Sequence, residues 1–311
     1  VGVVGIISPW NYPVNLALSP LISALAAGNH ALLKPSEHTP ETAAALQALI
    51  EACFPRRRVA VVQGGAEVAA SFSSLPFDHL FFTGSTAVGR RVMAAAAENL
   101  TPVTLELGGK SPAVIEPDYP PERAAESLVA GKLLNAGQTC IAPDYVLLPG
   151  GGARDYAAPL RTAAAGLYPG FRDNPDYTSI VNQGHYQRLQ ELLASAARGG
   201  VELLPLFDTP HDAARRRLTP TVAVNPPSDS ELMNEEIFGP ILPVVEVEDL
   251  DAAIRLIRAG QRPLALYPFS DDPAFQRRLL EQLRVGGVCI NDTLLQIAQS
   301  GLPFGGIGGS G

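Results

Sequence analysis

Short β-branched and apolar runs alternate with helical patterns through the first third of the chain, and this limits the fold more than any other feature. Val1–Ile7, His30–Lys34, Val59–Gln63, His79–Thr83 and Val103–Leu107 read as strands. Leu16–Ala27, a segment opened by Thr39-Pro40-Glu41, and Thr86–Glu98 read as helices. Thr39 can cap, Pro40 suits a first turn, and Glu41 suits the positive end of the dipole. Leu46, Leu49 and Ile50 follow at helical spacing. Strands that alternate with helices, and are apolar on both sides, predict a parallel sheet covered on both faces. Such sheets bind ligands at the carboxyl ends of their strands. The residues with chemical potential fall there: Asn11, the run Lys34-Pro35-Ser36-Glu37, the pair Gly84-Ser85, and Glu106.

A second α/β pattern begins near Gly108. Its candidate strands are Ala113–Ile115, Tyr145–Leu148, Val222–Val224, Leu242–Val247 and Val288–Asn291. Its candidate helices are Glu122–Leu134, His185–Arg198, Leu250–Ala259 and Ala274–Leu283. The segment 205–230 is rich in Pro, Asp and Ser and is expected to form surface loops. No internal repeat stands out. The fold class expected is α/β: a Rossmann-like parallel-sheet domain over residues 1–108, then a second α/β domain over 109–311 carrying Cys140.

Composition narrows the function classes. A chain of 311 residues with 46% hydrophobic and 17% charged residues can build one large core or two ordinary ones. A net charge of −8 argues against a nucleic-acid binder, which needs a basic face. Residues 1–33 lack Asp, Glu, Lys and Arg, but Pro9, Pro13 and Pro20 break the run, so no membrane-spanning helix is expected. No basic n-region precedes it, so a secretory signal is not expected. Cys53, Cys140 and Cys289 stand far apart, and the five histidines are scattered, so neither a disulfide framework nor a metal site is expected. A reducing cytoplasm is the default compartment. Val1 already lies inside a strand pattern and the chain stops in a glycine-rich run, so it reads as truncated at both ends.

Taken singly, the chemical residues are ambiguous. Gly84 to Gly89 has the spacing of the start of a P-loop, but Arg90 and Arg91 replace the Lys-Ser/Thr pair that reaches phosphate and magnesium. Phosphoryl transfer is therefore not expected, and the glycines serve equally as turn residues or as a phosphate approach. Glu37 can bond ribose hydroxyls or sit at the surface near a helix start. Glu106 ends an apolar strand, where partial burial would raise its pKa and suit it to general-base work; a strand-end ion pair is the plainer alternative. A lone cysteine is more often a buried small hydrophobe than a nucleophile. Cys53 and Cys289 keep that reading, and Cys140, by itself, does too.

Together they are not independent. Pro9-Trp10-Asn11, Lys34-Pro35-Ser36-Glu37, Phe82-Thr83-Gly84-Ser85, Glu106-Leu107-Gly108-Gly109-Lys110, Gly137-Gln138-Thr139-Cys140, Glu236-Ile237-Phe238-Gly239-Pro240 and Pro303-Phe304-Gly305-Gly306 occur in that order. This set resembles the aldehyde dehydrogenase superfamily over essentially the whole chain. Gly137–Tyr145 and Asn291–Gly306 are similar to the branch of coniferyl-aldehyde and fatty-aldehyde dehydrogenases. The resemblance implies that Cys140 is the nucleophile, that Asn11 joins the Cys140 backbone N–H in an oxyanion hole, and that Glu106 activates the hydrolytic water. It implies that Lys34 and Glu37 bind the adenosine ribose, Gly84 and Ser85 the pyrophosphate region, and Glu236 the nicotinamide ribose with Phe238 beside it. Ser8, Pro9, Trp10, Ser36 and Leu107 complete the implied cofactor contacts, and Phe304 lines the implied substrate tunnel. It further implies NAD or NADP as cofactor, an aromatic or aliphatic aldehyde as substrate, no metal, and a homodimer or homotetramer when full length. Glu37 would repel a 2′-phosphate and so favours NAD, while Lys34 works against that preference. Two other readings share part of this set: a cysteine acyl-transfer enzyme such as a thioesterase, which needs no nucleotide residues, and a truncated or structural member without activity.

Overall fold

The computed structural model describes residues 2–299 and 301–311. The chain divides into two compact units, Val1–Leu107 with Gly311, and Gly108–Ser310.

The first unit runs β1 (Val3–Ile7), α1 (Asn15–Ala26), β2 (His30–Lys34), α2 (Pro40–Cys53), β3 (Val59–Val61), α3 (Ala66–Ser73), β4 (His79–Thr83), α4 (Thr86–Ala97) and β5 (Val103–Glu106). Its five strands are all parallel and lie in the order β3-β2-β1-β4-β5. The chain therefore winds outward from β1 in one direction and, after β3, returns to the other side of β1. This places a topological switch point between β1 and β4. Consecutive residues of β1 enter opposite cores. Ile6 packs with Ala17 and Leu21 of α1 and with Leu46 and Ile50 of α2. Ile7 packs with Phe72 of α3 and with Val92 and Ala96 of α4. That double burial is why the strand sequences are continuously apolar instead of alternating. Gly89 lets α4 close onto the sheet, since a Cβ there would stand 2.6 Å from the Leu107 side chain.

The second unit holds β6 (Pro112–Ile115), α5 (Pro121–Leu133), β7 (Tyr145–Pro149), α6 (Ala157–Leu167), α7 (Gln183–Arg198), β8 (Glu202–Pro205), β9 (Thr221–Val224), α8 (Glu231–Asn234), β10 (Ile241–Val247), α9 (Leu250–Ala259), β11 (Ala265–Phe269), α10 (Pro273–Gln282) and β12 (Gly287–Val288). Among the described residues the strands form a sheet ordered β12-β11-β6-β7-β10-β9-β8, parallel except for the antiparallel edge pair β8/β9. Ala113, Ile115, Val146 and Leu148 face a core built with α5, α6 and α7. Val114, Tyr145 and Leu147 face a core built with α9 and α10.

Several expectations change. Helices α3, α6 and α8 and strands β8 and β11 were not marked by sequence pattern. The region 205–230, besides the strand expected at Val222–Val224, holds an antiparallel bridge between Asp212 and Arg217 as well as loops. The last strand ends at Val288, so Cys289 follows it instead of lying within it. Cys53 is exposed and Cys289 half-buried, so neither is the fully buried hydrophobe expected. Residue Val1 of the first expected strand lies outside the described residues.

Candidate active site

Within the first unit the predicted residues gather at the carboxyl edge of the sheet. Ser8 follows β1, is buried, and receives its backbone position from a bond to the Lys34 carbonyl at 3.1 Å. Pro9, Trp10 and Asn11 continue the same bend and are half-buried. At the end of β2, Lys34 is 1% exposed, and its ammonium donates to the Pro35 carbonyl at 3.0 Å and to Glu37 at 3.3 Å. Burial acts to raise the Glu37 pKa, but its own backbone amide and the Lys34 charge outweigh it and hold the carboxyl below the usual value. The Ser36 hydroxyl accepts from the His38 amide at 3.2 Å and shapes the turn that presents Glu37.

After β4, Gly84 donates its amide to the Glu106 carbonyl at 3.0 Å, tying the ends of β4 and β5 together. Ser85 caps α4, accepting from the Val88 amide at 3.4 Å. Glu106 ends β5. Desolvation pushes its carboxyl up to about 7, and its Oε2 is buried with no hydrogen-bond partner. The Oγ of Ser8 and the Oγ1 of Thr83 are likewise buried and unpartnered at the ends of β1 and β4. Buried polar atoms are normally paired. Three such orphans lie along one sheet edge, two of them flanking the switch point. Leu107 is buried beneath α4.

In the second unit the predicted residues lie at the amino edge of the sheet, in the loops that lead into β6, β7 and β10. The segment before Cys140 is unusual. Asn135, Ala136 and Gly137 have φ of 52°, 54° and 76°. Side chains rarely adopt that left-handed region, and such residues cluster at functional sites. Gly137 is required there, because a Cβ would also stand 2.4 Å from the Gly239 carbonyl oxygen. That close approach sets the cysteine segment beside the Glu236–Pro240 motif. Gln138 fixes the segment in the other direction: its amide donates to Asn135 at 2.9 Å and Ser179 at 3.2 Å, and it accepts from the Val181 amide at 2.9 Å. Thr139–Ala142 then form a turn closed by the Ala142 amide on the Thr139 carbonyl at 3.0 Å, with half-buried Cys140 at its second position.

Glu236 lies over the backbone of Gly108 and Gly109. It accepts from the Gly109 amide at 3.0 Å, and a Cβ on Gly108 would stand 2.2 Å from its carboxylate. Desolvation, with the charge of Asp144 adding, pushes its carboxyl up to about 7 against the Gly109 amide, Lys110 and Arg188. Phe238, two residues on, has a φ of 50°.

Sequence reasoning missed the support of this segment. Asp144 accepts from the Lys110 ammonium and from the Ile237 amide at 3.2 Å, and Lys132 stands 3.8 Å away. Lys110 also donates to the Leu232 and Glu235 carbonyls at 2.9 Å each, and Arg188 donates to the carbonyls of Glu236 and Ile237. Burial lowers the Lys132 pKa to about 8, against the raising effect of Asp144. An Asp four residues after a cysteine gives no sequence signal of this kind. Phe304 is 46% exposed in an irregular stretch, so the side chain is open to solvent in this chain. Among the described residues no group of three or more His, Cys, Asp or Glu could hold a metal, and no helix is long and apolar enough to cross a membrane.

The model of the aldehyde dehydrogenase family matches residues 1–311. A probable coniferyl aldehyde dehydrogenase of Pseudomonas aeruginosa is 51% identical over 310 residues, covering 100% of this chain and 64% of that protein. The chain thus spans less than two thirds of the length of this relative. A substrate-bound structure of Staphylococcus aureus AldH superposes with a TM-score of 0.95 at 44% identity, over 99% of this chain and 66% of that one. A Mycobacterium tuberculosis aldehyde dehydrogenase complexed with NAD+ gives a TM-score of 0.88 at 32% identity, over 99% of this chain and 64% of that one.

Proposed function

The chain belongs to the aldehyde dehydrogenase family, and from that premise we propose that the intact protein oxidises an aldehyde to a carboxylic acid with NAD or NADP, through a thiohemiacetal and a thioester on Cys140. The observation that carries this reading is the Cys140 turn, held by a strained left-handed lead-in and seated against the Glu236–Pro240 motif. A thiol that served only as core filler would need no such frame.

The chemistry follows from the residues. The Cys140 thiolate attacks the carbonyl carbon, forming a C–S bond and an oxyanion. The Asn11 amide and the Cys140 backbone N–H donate to that oxyanion; one such donor is typically worth about 100–1000-fold in rate. As the oxyanion collapses, the C–H bond of the former aldehyde carbon breaks and the thioester forms; a bound nicotinamide dinucleotide would supply the two-electron acceptor for that hydride. Glu106 then takes a proton from water, the hydroxide attacks the thioester, and the C–S bond breaks to release the acid and the thiol. A carboxyl near 7 suits a base that must be ionised yet still basic at neutral pH.

The dinucleotide fits the first unit. Ser8, Pro9, Trp10, Lys34, Ser36, Glu37, Gly84, Ser85 and Leu107 would hold it along the edge where Ser8 and Thr83 leave buried hydroxyls unpaired, and Glu236 and Phe238 would hold its nicotinamide ribose. The ionised Glu37 favours NAD, since Lys34 already pairs with it and adds no free positive charge for a 2′-phosphate. The substrate class follows the relatives: an aromatic, coniferyl-type aldehyde or an aliphatic one, with Phe304 at the tunnel. Assembly as a homodimer or homotetramer belongs to the same proposal. A panel of aldehydes tested on the intact protein with each nucleotide checks the reading, with Cys140→Ser as the control. Unchanged turnover in Cys140→Ser would remove the covalent mechanism.

A further inference from the structure

Tyr267 lies in β11, two strands from β7, and is fully buried. Its hydroxyl donates to the carbonyl of Ile141, the residue after Cys140. The same oxygen accepts from Gln296 Nε2 at 3.3 Å. A phenol carries one proton. With its oxygen taken as acceptor by the Gln296 amide, that proton is committed to Ile141. Burial raises the phenol pKa, and the nearby thiols of Cys140 and Cys289 act in the same direction. The Gln296 and Leu294 hydrogen bonds oppose this shift without reversing it, so the phenol keeps the proton it donates to Ile141.

The bond falls at a sensitive place. Cys140 and Ile141 are the central residues of the Thr139–Ala142 turn, and Pro143 follows without an amide to extend it. Gln138 secures the entry to the turn. Within the turn, the Tyr267–Ile141 bond is a long-range side-chain tie to the sheet, spanning 126 residues of sequence. We propose that Tyr267, steadied by Gln296, is a positioning residue for the nucleophile: it holds the Ile141 carbonyl so that the turn presents the Cys140 thiol and amide in one orientation. The inference rests on the reading of Cys140 as nucleophile.

Tyr267→Phe keeps the buried ring and removes only the hydroxyl. In the intact protein, kcat falls roughly 10–100-fold while KM stays within about threefold, because small misplacements of a reacting group act on the chemical step. In the absence of aldehyde and nucleotide, alkylation of Cys140 by iodoacetamide, followed by peptide mass spectrometry across pH, slows or moves to higher pH. Alkylation of the exposed Cys53 is unchanged and serves as the internal reference. Gln296→Met leaves the phenol in place and produces a smaller change of the same sign. A wild-type kcat and an unaltered Cys140 profile in Tyr267→Phe overturn the inference, as does a variant that loses only thermal stability. If Tyr267→Phe does not fold, an unaltered Cys140 profile in Gln296→Met overturns it instead. Failure of the nucleophile reading is separately visible: Cys140→Ser would then still turn over.

Discussion

Glu106→Gln separates the electrostatics of the site from its chemistry. The wild-type carboxyl is raised from 4.5 to about 7 by desolvation, and its Oε2 has no partner. In the unfolded chain the group ionises near its ordinary value, so the folded state binds the proton more tightly. The stability this contributes is fully present below about pH 4.5 and is lost as pH rises through about 7. A shift of this size corresponds to at most about 3.4 kcal/mol at about 1.36 kcal/mol per unit. The residue is only half-buried, so solvent screening reduces the effect to about 1–2 kcal/mol. Glutamine has nearly the same shape and no charge at any pH. The melting temperature of Glu106→Gln minus that of wild type therefore rises by a few degrees between pH 5 and pH 8.5, read by differential scanning fluorimetry in matched ionic strength. The same variant loses steady-state turnover, because the thioester is no longer hydrolysed. A melting difference that stays flat across this pH range would refute the desolvated-carboxyl reasoning, whatever happens to activity.

Other positions give independent checks. Gly137→Ala must place a side chain at a φ of 76° and 2.4 Å from the Gly239 oxygen, a backbone atom that cannot swing away; a loss of roughly 2 kcal/mol or more is expected in denaturant unfolding. Asp144→Asn leaves the Lys110 and Lys132 ammonium groups without their shared carboxylate, and a loss of about 3–5 kcal/mol is expected, read as a lower denaturation midpoint at pH 7. Glu37→Gln removes the charge that disfavours a 2′-phosphate, so the ratio of kcat/KM for NADP over NAD rises by roughly tenfold; an unchanged ratio would take cofactor discrimination away from Glu37.

Much of the fold was readable because the first unit obeys simple rules. Its strands are apolar on both faces, and its chemical residues follow them directly. The misses have physical causes. Helices α3 and α6 lack a side-chain N-cap and are rich in alanine, so neither a start signal nor a strong apolar stripe marks them. Strand β11 carries Pro268, which argues against a strand interior. The β12 register ends at Leu266, and beyond it Pro268 takes part through its carbonyl, which accepts from the Asn291 amide at 2.8 Å and needs no proline N–H. The last strand is short, although the Cys289 and Asn291 amides still bond β11, and the positive φ of Asn291 and Leu294 then turns the chain away.

At the site, motif order pointed to Cys140, Glu106 and Asn11, but the groups that hold the motifs in place were hidden. Asp144 meets Lys110 across 34 residues and Ile237 across 93. Tyr267 meets Ile141 across 126. Contacts at such separations have no periodicity to betray them. The left-handed run Asn135–Gly137 was equally hidden, since only Gly137 signals a positive φ in the sequence.

The central claim is a covalent acyl-enzyme on Cys140, and trapping it is the most direct test. Glu106→Gln in the intact protein, incubated with an aldehyde and NAD+ and quenched in acid, is digested and examined by peptide mass spectrometry. The account predicts the mass of the acyl group on the Cys140 peptide, absent without NAD+ and absent from the Cys53 and Cys289 peptides. Full steady-state turnover with no adduct on Cys140, or an adduct on another cysteine, would contradict it.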